Sequence, residues 1–281
     1  MGAYHRPRDI DTALRVLGAG PVTIIAGGTD FYPARVGKSI DEDVLDVTAV
    51  GGLCGIEECD DHFRIGATTT WTQVIEAELP PWFEGLKLAA RELGGAQIQN
   101  AGTVCGNICN ASPAADAIPV LLTLDAVVNV ASAGGETRTP ISRFVVGNRR
   151  TVLGPGEMVT GLEIPKPAHP ARGSFLKLGA RKYLVISIAM VAAVIESQAG
   201  GKVAAARIAV GACSEVARRL PELEADLAGH PVSADLGNLA EARHLDALAP
   251  IDDIRGSAEY RRDAALIAVR RCLAELGGGS W

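Results

Sequence analysis

The sequence predicts an α+β fold in two parts, and three observations carry that reading. Strand-like and helix-like runs follow one another without the regular β-α-β alternation of a doubly wound parallel sheet. The run Lys166-Pro167-Ala168-His169-Pro170 is the strongest linker signal in the chain. Beyond it come three β-rich runs and then helices. The expected division is therefore 1–170 and 171–281.

The first part opens with a short helix over 9–18, with Ala13, Leu14 and Leu17 on one face. Val22 to Ala26, Val44 to Thr48 and Phe63 to Ala67 read as strands. Thr70 with Gln73 three residues on is a capping box that opens a helix to about Glu78. A second helix runs from about Trp82 to Leu93 and stops at Gly94-Gly95. A glycine-punctuated loop is expected up to residue 111. Ser112-Pro113 then reads as an N-cap with proline at the first helical position, for a helix to Leu124. Residues 126–131 and 137–141 make a hairpin around Ala133-Gly134-Gly135, and Met158 to Ile164 is a strand that Pro165 ends. In the second part, Ser174 to Ala180, Ile186 to Glu196 and Val203 to Val210 form a three-stranded sheet. Helices close the chain, the clearest from Ser257 to Leu276.

Composition excludes several function classes. The chain has 281 residues with a net charge of -6, so nothing favours a nucleic-acid backbone as partner. No apolar run approaches the ~20 residues that cross a bilayer. The start, MGAYHRPRDI, has no secretory h-region, so a cytoplasmic protein with reduced thiols is expected. The six cysteines show no CxxC pair. They are expected to act as small buried apolar residues, with no metal bound.

Two stretches carry chemistry. In Ile24-Ile25-Ala26-Gly27-Gly28-Thr29-Asp30 a strand ends on two glycines, a hydroxyl and a carboxylate. Such a run suits an anion nest of backbone N–H groups, and a plain tight turn has the same sequence signature. The second stretch runs from Gln97 to Asp116 and holds Ala101, Gly102, Thr103, Gly106, Asn107 and Ser112. It is small, polar and amide-rich, and it ends at the start of a helix, where free N–H groups favour an anion. Asp116 within it either stabilises the helix end or accepts hydrogen bonds from sugar hydroxyls. The five histidines lie outside both stretches and pair with no serine or cysteine, so they are read as structural.

The strand-AGGTD turn, with T-V-x-G-N-x5-P-x2-D about 75 residues later, resembles the FAD-binding medium subunit of molybdenum hydroxylases of the carbon monoxide dehydrogenase and xanthine dehydrogenase type. The segment Phe175 to Ala189 is similar to the family's opening of its C-terminal domain, and the likeness spans essentially the whole chain. The resemblance implies a two-part FAD-binding domain of the PCMH/vanillyl-alcohol-oxidase type, with subdomains of about 1–55 and 56–170. A small C-terminal domain with a three-stranded antiparallel sheet and helices comes after it.

It further implies that Ile24 to Asp30 cradle the FAD pyrophosphate and that Ala101 to Thr103, Gly106, Asn107 and Asp116 form a second cradle with a ribose contact. By the same resemblance Lys177 lies close to the flavin, Val159 packs near the ring, Ile186 lies over the isoalloxazine, and Leu93 is ring-side. FAD held noncovalently would pass electrons from iron–sulfur clusters to an external acceptor. The molybdopterin cofactor sits on a large partner subunit and the [2Fe-2S] clusters on a small one, in a dimer of heterotrimers. A stand-alone FAD-dependent reductase and a scaffold without flavin are the alternatives. One departure stands out: Cys105 replaces the first glycine of the family's T-I-G-G-N.

Overall fold

The computed structural model describes residues 2–182 and 184–279; Met1, Tyr183, Ser280 and Trp281 lie outside the described residues. The chain opens with β1 (Tyr4–His5), α1 (Ile10–Ala19), β2 (Thr23–Ile25) and β3 (Val44–Asp46). Both β1 and β2 pair with β3 in parallel. Asp9 caps α1, its side chain accepting from the N–H of Thr12. Ala13 and Leu17 of α1 pack with Leu45 and Val47 into a small core of their own.

Next come β4 (Ile56–Glu58), β5 (His62–Gly66), α2 (Trp71–Glu76), α3 (Glu84–Glu92), α4 (Ala96–Ala101), α5 (Val104–Asn110) and α6 (Ala117–Thr123). The strands β6 (Val127–Ser132) and β7 (Gly135–Pro140) are next, then α7 (Ile141–Phe144), β8 (Val145–Gly147), β9 (Arg150–Thr151) and β10 (Met158–Pro165). The middle sheet has the order β4-β5-β10-β6-β7. The capping box at Thr70 and Gln73 and the hairpin at Ala133-Gly134 form as their sequences predict.

Two expectations fail between Gly94 and Asp116. The segment expected as a loop holds α4 and α5, because Thr103 caps α5 through its hydroxyl and tertiary contacts fix the turn before it. Ser112-Pro113 starts no helix. Its hydroxyl closes a local turn with the N–H of Ala114 at 3.3 Å, and α6 begins after Asp116.

The last third comprises β11 (Ala171–Leu178), β12 (Ala189–Gln198), β13 (Lys202–Gly211), β14 (Arg218–Arg219), α8 (Pro221–Leu227) and α9 (Ala258–Gly278). The three expected strands form an antiparallel sheet, and the two-residue β14 adds a fourth at its edge. The unbroken apolar run of β12 reflects burial on both faces. Met190, Ala192 and Val194 enter the core shared with α2, α3, α5 and α6. Ala189, Val191, Ala193 and Ile195 face α8 and α9. Helix α9 runs past the expected end at Leu276, through Gly277 to Gly278. A Cβ at Gly277 would lie 1.9 Å from the carbonyl oxygen of Ser233, so this glycine permits close packing.

Helix α6 is buried along its whole length and packs between the last sheet and helices α3, α5 and α7. Its final carbonyls are taken by arginines of the last sheet. Arg207 Nε donates to Thr123 at 2.8 Å and Arg219 Nη1 to Leu122 at 3.0 Å. Cations at that end also complement the helix dipole. Arg207 in turn pairs with the buried Glu196 at 2.7 Å.

Candidate functional site

A cavity of about 1200 Å³ opens between the first small sheet and the α4–α5 segment. It exceeds the roughly 300–1,000 Å³ of sites for drug-sized ligands, so it suits an extended molecule.

Its floor is the turn after β2. Gly28 sits at φ +67. Among the described residues, none of the backbone N–H groups from Gly27 to Phe31 has a protein acceptor. Amides in that state would be costly in a sealed interior; beside a large cavity they form a nest for an anion. Gly27 packs so close to the next wall that a Cβ would stand 1.8 Å from the carbonyl oxygen of Ala101.

The opposite wall starts at Ala101-Gly102-Thr103. It is fixed by Trp71 N–H donating to Gly102 at 3.1 Å and Val104 N–H donating to Thr69 at 3.1 Å. A Cβ on Gly102 would lie 3.4 Å from Thr29 Oγ1, so the two glycine-bearing motifs touch. The Thr103 hydroxyl accepts from Gly106 N–H at 2.9 Å. A Cβ at Gly106 would stand 2.7 Å from the same hydroxyl, so the glycine lets this cap sit close. Among the described residues, the buried Oδ1 of Asn107 has no hydrogen-bond partner. Buried acceptors of this kind mark a missing donor.

The third wall is Leu153 to Val159, where Gly154 N–H donates to Glu157 Oε2 at 2.7 Å. Leu93 and Ile98 lie on the α4 side of the cavity, and Asn110 and Arg149 on the side where α5 ends.

Of the residues singled out in the sequence, Ile24 to Asp30, Leu93, Gly102, Thr103, Gly106, Asn107 and Val159 border this cavity. Ala101 stands behind Gly27. Asp116 does not offer its carboxylate to the cavity. One oxygen pairs with Lys177 Nζ at 2.6 Å and the other accepts from Ser187 Oγ at 2.7 Å, with both ion-pair side chains buried. Burial pushes the Asp116 carboxyl up and Lys177 opposes that shift. The pair lies directly behind the wall, since Lys177 Nζ also reaches the carbonyl of Glu92, the neighbour of Leu93, at 3.5 Å. Ile186 is 65% exposed, on the loop between β11 and β12.

The sequence reading missed Leu17, Val22, Trp71, Cys109, Arg149 and the loop around Gly154-Pro155-Gly156. Only the last carried a signal, a turn tripeptide just before a strand.

Cys105 is helical and needs no positive φ, so its replacement of a glycine leaves the backbone intact. Burial pushes its thiol well up. Cys109 is reached by solvent through the cavity, yet its surroundings push its thiol up to about 12. Cys54 is exposed and Cys59 half-buried, so the expectation of six buried cysteines fails for half of them.

Family comparison fits this geometry. Residues 1–167 match the model for the FAD binding domain in molybdopterin dehydrogenase. The chain belongs to that family. Residues 174–276 match the CO dehydrogenase flavoprotein C-terminal domain. The chain is 31% identical to the 6-hydroxypseudooxynicotine dehydrogenase complex subunit alpha of Paenarthrobacter nicotinovorans, covering 95% of this chain and 91% of that one. It is 30% identical to the nicotine 6-hydroxylase medium subunit of the same organism, over 98% and 96%. Among solved structures, reconstituted CO dehydrogenase from Oligotropha carboxidovorans superposes with a TM-score of 0.88 at 27% identity, over 99% and 98%.

FAD is the family's cofactor, and the residues present fit it. The open N–H groups of Gly27 to Phe31 suit a pyrophosphate, and the orphaned Asn107 Oδ1 awaits a donor such as a hydroxyl or amine. Asn107→Ala is expected to weaken FAD binding by roughly ten-fold, the worth of a hydrogen bond or two. The flavin-free chain should lose no stability, because that oxygen has no protein partner to lose. Flavin titration and thermal unfolding of both chains check the pair of outcomes. An unchanged affinity would remove Asn107 from the site.

Proposed function

We propose that this chain is the electron-relay subunit of a molybdenum-containing dehydrogenase complex. In this reading electrons arrive from iron–sulfur clusters on a small partner subunit, having left substrate at a molybdopterin centre on a large one. They depart to an external acceptor. The observation that carries the reading is the run of open amides facing the Thr103–Asn107 wall across a dinucleotide-sized cavity. Relatives whose names are "complex subunit alpha" and "medium subunit" support an assembly with unlike chains, here proposed as a dimer of heterotrimers. The division at residue 170 would separate a flavin-holding part from a C-terminal part. Six unpaired thiols support a cytoplasmic home.

Bound flavin would accept electrons singly and release them as a pair. The chain's own residues bind and orient it. Gly27 to Asp30 and Thr103 to Gly106 would hold the pyrophosphate, Asn107 Oδ1 would accept from a hydroxyl or amine of the cofactor, Leu93 would pack at the ring end, and Val159 would line the cavity beside the cofactor. Two charged groups of the wall serve the wall itself: Arg35 pairs with Glu42, and Glu157 holds Gly154.

The flavin should be noncovalent. A thiolate, not a thiol, is the nucleophile, and the surroundings of both cavity cysteines push their thiols up. Acid precipitation should release all flavin colour into the supernatant; flavin retained on the pellet would reverse this. The isolated chain should bind FAD yet reduce no dye with heterocycles or aldehydes, and pull-down from its source should bring two unlike chains. Robust substrate turnover by the isolated chain would favour the stand-alone reductase.

A further inference from the structure

We propose that Arg149 recognises the adenosine end of the cofactor. This rests on the FAD reading with its ring at the Leu93 end.

The order of groups along the cavity comes from the chain itself. Gly102 N–H donates to Ile98 at 2.7 Å, α5 then runs from Val104 to Asn110, and Arg149 N–H donates to the carbonyl of Ala111 at 2.8 Å. The open amides of the glycine turn meet this line at Ala101 and Gly102. At 1.5 Å per residue, α5 carries the wall about 10 Å further before Arg149 is reached. That is roughly the length of a nucleoside beyond a phosphate cradle.

The arginine is held out by a backbone that otherwise suits glycine. Arg149 has φ +53 and its partner Ala111 has φ +48. Side-chain-bearing residues adopt this region rarely, and when they do the surroundings must impose it. Here the hairpin of β8 and β9 is pinned by the Arg149–Ala111 bond and by Asn148 N–H donating to Glu215 at 3.2 Å.

Its charge is also uncommitted. Two other charged residues of the cavity wall are engaged. Arg35 is bound to Glu42 and stacked 3.8 Å above the Phe31 ring. Glu157 is held by Gly154. Arg149 has no carboxylate partner among the described residues; its guanidinium meets only the amide oxygen of Asn110 at 2.5 Å. A planar cation with five donors suits the acceptor-rich edge and π face of a purine, and the ribose oxygens beside it.

The test uses the full chain freed of flavin, titrated with FAD and with FMN, which lacks the adenosine half. Arg149→Gly is the informative variant, because glycine fits φ +53 and should leave the thermal midpoint unchanged or raised. We expect the variant to bind FAD roughly ten-fold more weakly and FMN within about two-fold of the native chain. ADP should compete with FAD less well in the variant. Arg149→Lys should recover only part of the loss, since lysine lacks the planar fork. Equal affinities of both chains for FAD, or an equal loss for FAD and FMN, would overturn the assignment. A native chain that binds FAD no tighter than FMN would do the same. A native chain that binds neither flavin would instead remove the FAD reading, and this proposal with it.

Discussion

Gly27→Ala is expected to empty the flavin cavity. The one methyl group it adds would stand 1.8 Å from the carbonyl oxygen of Ala101 and 2.4 Å from its carbon. Both are backbone atoms, so no side chain can turn away. The turn and the start of the Ala101–Thr103 wall must separate by more than an ångström, and these are the two surfaces that face a pyrophosphate. Overpacking of this kind costs about 1–3 kcal/mol of stability. The loss in binding should be larger, at least about 100-fold, because every open amide of the turn moves away from its ligand at once. Gly27→Val should be worse still. The cores around α3, β12 and α9 do not include Gly27, so most of the chain should stay folded. Flavin content after purification and a thermal unfolding curve separate the two effects. Full flavin occupancy in Gly27→Ala would exclude this turn from the site.

The sequence made this turn legible because a strand that ends on two glycines needs no long-range information. Gly28 at φ +67 and the crowding at Gly27 are local demands that only glycine meets. The same holds for the capping box at Thr70 and for the apolar run of β12. Helix α5 was hidden because glycine, asparagine and cysteine are weak helix formers. What stabilises it is a β-bridge between Thr70 and Thr103, more than thirty residues apart. Arg149 was hidden for a related reason. It stands at a turn position that local propensity assigns to glycine or asparagine, and nothing local says that its amide meets Ala111. The resemblance supplied the pairing of the two glycine-bearing stretches, which composition alone left open between a nest and a tight turn.

Asp116 shows the limit most clearly, and it carries the second large effect. As a carboxylate at the start of a helix it looked like a group aimed at helix or ligand. Its main partners are Lys177, 61 residues away, and Ser187, 71 residues away. The carbonyl of Ser187 is in turn held by Arg255 at 2.9 Å, and Arg255 shares Asp253 with the buried Arg261 of α9. The two arginines hold the Asp253 carboxyl well below the usual carboxylate range. One chain of polar contacts thus runs from α9 to the wall behind Leu93. Lys177→Ala would leave the Asp116 charge buried without its counter-charge, at a cost of about 3–5 kcal/mol. The cost should depend on pH in a definite sense. Burial already raises the Asp116 carboxyl, and removing the lysine raises it further. The variant's folded state therefore binds the proton more readily than its unfolded state, so its stability falls as pH rises. The gap between native and variant chains should be widest near neutrality and should narrow towards about pH 4. Asp116→Asn together with Lys177→Met removes both charges and should regain most of the loss, because an uncharged pair needs no compensation. Urea unfolding of the native chain and these variants at two pH values checks each step. A Lys177→Ala chain as stable as the native one at neutral pH would mean that water reaches Asp116 and that the seam behind the flavin wall is open.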